Sequence, residues 1–205
     1  MLLANNINFK RNNNKILNNI SISLPPQKII QIQGNNGVGK TTFLKILCNI
    51  LEPETGSIFW NGKNIQSNPY KFYKDVTLIM DNQTSNKNLT VIENIKFWSQ
   101  LFNAKIKINE INSLLEMLKL HEYRSTYARY LSFGEIKKLE LLRLVIEKKK
   151  LWIMDEPFLG LDKESIELIH QTIINHSNSE GMVVLTSHSE LNLPNLEILK
   201  IDKHE

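Results

Sequence analysis

This sequence predicts an α/β fold with a mostly parallel sheet at its core, an N-terminal antiparallel β subdomain and an inserted helical subdomain. Three observations carry the expectation. Apolar, β-rich runs alternate with stretches of helical periodicity, the pattern of a parallel sheet covered on both faces. The first sixty or so residues hold only short β segments broken by polar turns. After Gln83 the spacing of apolar residues turns helical, and residues from about 84 to 131 read as an insertion.

The elements follow in order. Residues 2–9, 16–24 and 57–60 are strand candidates, and Asn61-Gly62 is a tight-turn pair because both residues tolerate positive φ. Pro25-Pro26 breaks the chain before a strand over 28–33. A helix should open near Gly39-Lys40, where Phe43, Leu44, Ile46 and Leu47 recur at helical spacing. Another buried strand is expected over 76–80. Thr90-Val91-Ile92-Glu93 has capping-box spacing and opens a helix with Ile95, Trp98 and Leu101 on its apolar side; a second helix follows over 111–120. Ser132-Phe133-Gly134-Glu135 repeats the capping-box spacing and starts a helix to about residue 147. Strands over 150–154 and 182–186 flank a helix capped by Asp162.

Composition narrows the function classes. The 205 residues are 41% hydrophobic and 22% charged, ordinary for a globular chain. No apolar run reaches the ~18 residues of a membrane span, and the start lacks the pattern of a signal peptide. One cysteine, Cys48, excludes a disulfide framework. The net charge of +4 is scattered, so no nucleic-acid partner is expected. The densest run, Lys148-Lys149-Lys150, reads as a solvated loop or as a membrane-surface or partner contact. Clusters such as Asn12-Asn13-Asn14 fit a coding bias toward A/T-rich codons.

The chemistry lies in short segments. Gly34-Asn35-Asn36-Gly37-Val38-Gly39-Lys40-Thr41, followed by Thr42, matches G-x-x-x-x-G-K-[ST] between an apolar strand and an amphipathic helix. Glycines let successive N–H groups converge on phosphate oxygens, and the helix N-terminus adds its dipole. Lys40 would reach the β- and γ-phosphates of ATP and Thr41 would ligate Mg²⁺. The apolar run from Leu151 to Met154 sets Asp155 and Glu156 at a strand's C-terminal end, where parallel sheets bind ligands. Asp155 would hold Mg²⁺ through water, and Glu156 would polarise the attacking water.

Leu131-Ser132-Phe133-Gly134-Glu135, lying between those motifs, resembles the LSGGQ signature of the ATP-binding-cassette (ABC) ATPases. The resemblance covers roughly residues 2–200 and implies a P-loop NTPase of the ABC ATPase type, one nucleotide-binding domain over 1–205. It implies further roles. Ser132, Gly134 and Glu135 would face the γ-phosphate held by a second copy in a head-to-tail homodimer. Gln83 would touch Mg²⁺ or the attacking water and sense a membrane partner. Asp162, in Leu159-Gly160-Leu161-Asp162, would lie at the dimer interface, and His188 would contact the γ-phosphate. Phe9 falls where the family places an aromatic under adenine; a core phenylalanine is the alternative. Three residues depart from the pattern: Phe133 for a small residue, Glu135 for glutamine, and Gly160 for the common alanine. A carboxylate at position 135 suits the helix dipole but would sit unfavourably near a triphosphate.

Within the family the chain most resembles the ATP-binding subunit of the haem exporter used in cytochrome c maturation. The segment Leu151-Trp152-Ile153-Met154-Asp155-Glu156-Pro157-Phe158 and the run from Glu180 to His188 carry that likeness. It implies an integral permease subunit as partner, docked near Gln83 and the helices from Thr90 onward, and a peripheral place on the cytoplasmic face of the inner membrane. An ABC exporter or importer with other cargo is the main alternative. A translation factor would usually carry two cassettes, and a chromosome-type ATPase would need a long coiled-coil insertion; the chain has one phosphate loop and no sustained heptads.

Overall fold

A computed structural model describes residues 1–80 and 83–202. Two sheets form. The first is antiparallel, in the order β2 (Asn14–Leu24), β1 (Leu2–Arg11), β4 (Thr55–Trp60), β5 (Lys63–Asn64). The second is parallel throughout, in the order β6 (Val76–Ile79), β7 (Leu151–Met154), β8 (Met182–Thr186), β3 (Ile29–Gln33), β9 (Leu196–Lys200). The helices are α1 (Lys40–Leu47), α2 (Pro69–Tyr73), α3 (Val91–Leu101), α4 (Ile108–Met117), α5 (Phe133–Glu147) and α6 (Lys163–Asn178).

The apolar strands divide their side chains between two cores. Leu151 and Ile153 of β7, with Met182 and Val184 of β8 and Ile30 and Ile32 of β3, meet α1 and the antiparallel sheet. Trp152 and Met154, Val183 and Leu185, and Ile29 point the other way, into a core shared with α3, α4, α5 and α6. The period of two along each strand, with both faces covered, is why these runs read as continuously apolar. Between β6 and α5 lie α3, α4 and a short 3₁₀ turn, Ala128–Tyr130; among the described residues the only β pairing there is a single bridge between Thr90 and Tyr127.

Local signals account for the element ends. Thr90 and Ser132 both form complete capping boxes, with Glu93 and Glu135 reaching back to the cap amide. Asp162 caps α6 by accepting from Ser165 N at 2.9 Å. Asn61, at φ 49°, and Gly62, at φ 77°, turn β4 into β5. The asparagine clusters also have a structural use. Among the described residues, 13 non-glycine positions have positive φ and eight of them are asparagine. Asparagine enters that left-handed region more easily than most residues. Asn6 and Asn19 do so where β1 and β2 shift register, and the Asn6 side chain donates to Asn19 Oδ1 there.

Some expectations shift. The second inserted helix begins at Ile108 and ends at Met117, about one turn earlier than its apolar pattern suggested, because Glu110 reaches back to Lys107 N. Elements β5, α2 and β9 were not anticipated. No helix among the described residues is long and apolar enough to cross a membrane.

Candidate nucleotide site

The C-terminal ends of β3, β7 and β8 gather the charged and hydroxyl side chains into one place. The loop after β3 turns through Gly34, Gly37 and Gly39, all at positive φ. Gly39 is also pressed against β2: a Cβ there would lie 2.8 Å from Ile16 Cγ2. That contact excludes any side chain and brings the loop against the antiparallel sheet. Lys40, the first residue of α1, is buried and folds back to donate from Nζ to Gly34 O at 2.8 Å and Asn35 O at 3.2 Å. Asn35, Asn36, Gly37 and Thr41 are exposed, Thr42 is half-buried, and Val38 anchors the loop in the core.

Asp155, only 2% exposed, is fixed by two hydroxyls. Thr41 Oγ1 donates to Oδ2 and Thr186 Oγ1 to Oδ1, each at 2.7 Å. Thr186 Oγ1 also accepts from Glu156 N at 2.8 Å. One threonine at the end of β8 therefore sets the relative position of both acids. Lys137 Nζ donates to Asp155 O at 3.3 Å. Glu156 sits at φ 43°, and its Oε1, closed to solvent, makes no hydrogen bond. His188 Nε2 approaches that atom to 3.5 Å. The ring itself is 54% exposed, so the pair lies at the mouth of the site.

The loop that carries His188 is held from beneath. Gln31, fully buried in β3, donates to Ser189 O at 2.7 Å and accepts from Leu191 N at 3.4 Å. A cleft of about 460 Å³ opens beside Gly34, Asn35, Asn36, His188 and Lys200. A larger one, about 570 Å³, lies near the opposite end of β7 and β8 beside Trp152 and His176. The glycine loop lines the smaller cleft and not the larger, so the smaller is the candidate for a phosphate-bearing ligand.

The structure thus brings together the residues 34–42, Asp155, Glu156 and His188. Phe9 pairs with Leu17, a neighbour of Gly39, and its half-buried side chain packs against the core shared with the antiparallel sheet. Gln83 is exposed, and no hydrogen bond joins it to Thr41, Asp155 or Glu156. Instead the residues after it are fastened to α5: Thr84 N and Ser85 N donate to Glu140 Oε1 at 2.7 and 2.6 Å. Ser132, Gly134 and Glu135 stand apart from this chain's own phosphate loop, beside the turn that leads to Asp162. The Glu135 carboxylate accepts from Ser132 N at 2.7 Å. Burial raises its pKa, but hydrogen bonds from Ser132 and Tyr123 and the charge of Lys138 outweigh that, and the carboxyl falls below its usual range. Lys138 pairs with Asp162 at 2.7 Å.

Sequence reasoning missed Thr186, Gln31, Lys137 and Glu140. Thr186 and Gln31 carried a signal, each being a polar residue within an apolar strand. Lys137 and Glu140 looked like the solvated face of a helix.

A site of this kind combines an N–H-lined loop at a helix N-terminus, a lysine above it, and a hydroxyl–carboxylate pair of hard oxygen donors. It can hold a polyphosphate with a divalent cation. Comparison with known proteins identifies the family. Residues 17–159 match the family model described as ABC transporter. The cytochrome c biogenesis ATP-binding export protein CcmA of Dechloromonas aromatica is 32% identical over 194 residues, 95% of each chain. The protein of the same name from Nitrosomonas europaea is 34% identical over 192 residues, 93% of this chain and 90% of the other. Among solved structures, a putative ABC transporter ATP-binding protein from Pyrococcus furiosus superposes with a TM-score of 0.84, at 22% identity, over 98% of this chain and 96% of that one. With residues 17–159 matched to that family model and nearly its whole length shared with such relatives, this chain belongs to the ABC transporter family as an ATP-binding cassette.

Proposed function

We propose that the chain is the ATP-hydrolysing subunit of the haem-exporter complex of cytochrome c maturation. The observation that carries the ATPase reading is the Thr41–Asp155–Thr186–Glu156 chain of hydrogen bonds, which sets the two acids beside the phosphate loop with Glu156 Oε1 free to accept. The haem-exporter reading rests on the likeness to CcmA proteins along nearly the whole chain.

Loop amides from Gly34 to Thr41 bind the phosphates, and Lys40 exchanges its two carbonyl partners for phosphate oxygens. Phe9 stacks on the adenine face. Thr41 and Asp155, with Gln83, hold Mg²⁺, whose chemistry is to neutralise charge on the phosphates. Glu156 takes a proton from the attacking water, and His188 steadies the terminal phosphate. Two copies pair head to tail, so that Ser132, Gly134, Glu135 and Asp162 of one complete the site of the other. That arrangement accounts for a signature segment lying away from its own phosphate loop. Closure of the pair moves an integral permease partner, with the cassette held peripherally on the cytoplasmic face of the inner membrane.

Glu156→Gln should keep ATP affinity, lose turnover by about 10²–10⁴-fold, and accumulate an ATP-bound dimer in light scattering. Turnover equal to the parent would remove Glu156 from the base role. Capture of the chain from solubilised membranes reads the cargo: a cytochrome-maturation membrane subunit supports haem export, and a different permease replaces that reading with another ABC exporter or importer.

A further inference from the structure

We propose that Phe133 and Gly160 are a matched pair that positions the loop from Glu156 to Asp162 against the start of α5. The proposal rests on the nucleotide-site reading above and deepens it. Two contacts carry it. A Cβ on Gly160 would lie 2.6 Å from Phe133 Cδ1 and 2.7 Å from Cε1. A Cβ on Gly134 would lie 2.6 Å from Gly160 O. Both distances are shorter than any side chain sustains, so the ring and the helix backbone occupy the space that a methyl group at either glycine would need. Gly160 is also at φ 79°, where alanine is strained.

Phe133 is 54% exposed and contributes to neither core. Its ring therefore has a local partner in place of a core one, and that partner is the Gly160 backbone. A second tie fastens the far end of the same loop: Lys138, one turn further along α5, pairs with Asp162. The loop between is short and turns twice, with Leu159 N bonded to Glu156 O and Leu161 N to Phe158 O. Held at Gly160 and at Asp162, it has little freedom left at Glu156. The two sequence departures at 133 and 160 are thus one change in two parts: the helix gains a ring where the loop gives up a methyl. Phe133 is a positioning residue, acting through the loop on Glu156 and on the Ser132 surface beside it.

A double-mutant cycle tests the pair. Gly160→Ala, Phe133→Ala and the double variant are compared by thermal denaturation of the nucleotide-free chain and by ATP turnover alongside affinity for a fluorescent ATP analogue. Gly160→Ala should lower Tm by at least about 2–4 °C and kcat by tenfold or more, with analogue affinity unchanged. The double variant should recover most of both losses, because removing the ring lets the loop relax. Backbone strain alone would cost the same with or without the ring, so a double variant no better than Gly160→Ala overturns the pairing. Coupling in stability with kcat of Gly160→Ala unchanged overturns the positioning role. Denaturation does not depend on turnover, so absence of ATPase activity in the parent would count against the function and leave the pairing to be decided by stability.

Discussion

Replacing Glu140 with alanine removes four hydrogen bonds at once. The carboxylate, 3% exposed, accepts from Thr84 N, Thr84 Oγ1, Ser85 N and Arg143. Arg143 keeps Glu147 at 2.7 Å and Leu78 O at 3.2 Å, so its charge is not orphaned. The loss therefore falls mainly on two backbone amides, each bonded to a charged acceptor and worth about 1.5–3 kcal/mol. The sum, about 3–6 kcal/mol, is a large part of the ~5–15 kcal/mol that holds an ordinary domain folded. In thermal terms it is a fall of roughly 6–24 °C. Glu140→Gln keeps one acceptor oxygen but turns an amide group toward the other donors, so it should lose about 1–3 kcal/mol. Urea denaturation gives the numbers, and hydrogen exchange gives the location: the Thr84 and Ser85 amides should exchange faster in both variants. An alanine variant within about 1 kcal/mol of the parent, or unchanged exchange at those amides, would refute the claim that Glu140 fastens the segment after Gln83 to α5.

Burial pushes the His176 pKa down to about 4 from 6.5, so between those values the unfolded chain binds a proton that the fold refuses. Stability should then fall as pH drops from about 6.5 toward 4, and His176→Phe, which keeps the ring stacked on Trp152 at 3.6 Å, should flatten that limb in denaturation curves. Gly181→Ala would place a Cβ 2.3 Å from the His176 ring, and should cost about 1–3 kcal/mol by urea midpoint. The Lys138 side chain and the Ser165 amide hold the Asp162 carboxyl well below its ordinary 3.8. Its stabilisation is complete above that value and fades as pH falls further, so Asp162→Asn should be less stable than the parent at neutral pH and converge with it in strong acid.

What the sequence made legible were features with a local cause. The phosphate loop is a spacing of glycines, the capping boxes are two side chains three residues apart, and the strands of the parallel sheet are apolar because both of their faces are covered. Element β9 escaped because it lies at the sheet edge, with an exposure pattern and a Glu/Lys content that resemble a loop. The short α2 did carry a signal, Asn68 capping with Pro69 behind it, but one turn of helix has no periodicity to find.

The harder case is α5. Its Lys137, Lys138, Glu140, Arg143 and Glu147 are all buried, although such residues on a helix normally mark its solvated side. Here each is matched to a partner far away in sequence: Asp155 O, Asp162, Thr84 and Ser85, Leu78 O, and Thr77. Burial drives the Glu147 carboxyl up, with Arg143 and Thr77 opposing it. A buried charge is tolerated only when paired and hydrogen-bonded. Those partners come from the β7 end, the α6 cap, the segment after Gln83 and β6, which are the parts around the candidate site. The helix that begins at Ser132 is thereby bonded to the strand end that carries Asp155 and to the cap residue Asp162, and no spacing within α5 itself could have revealed it.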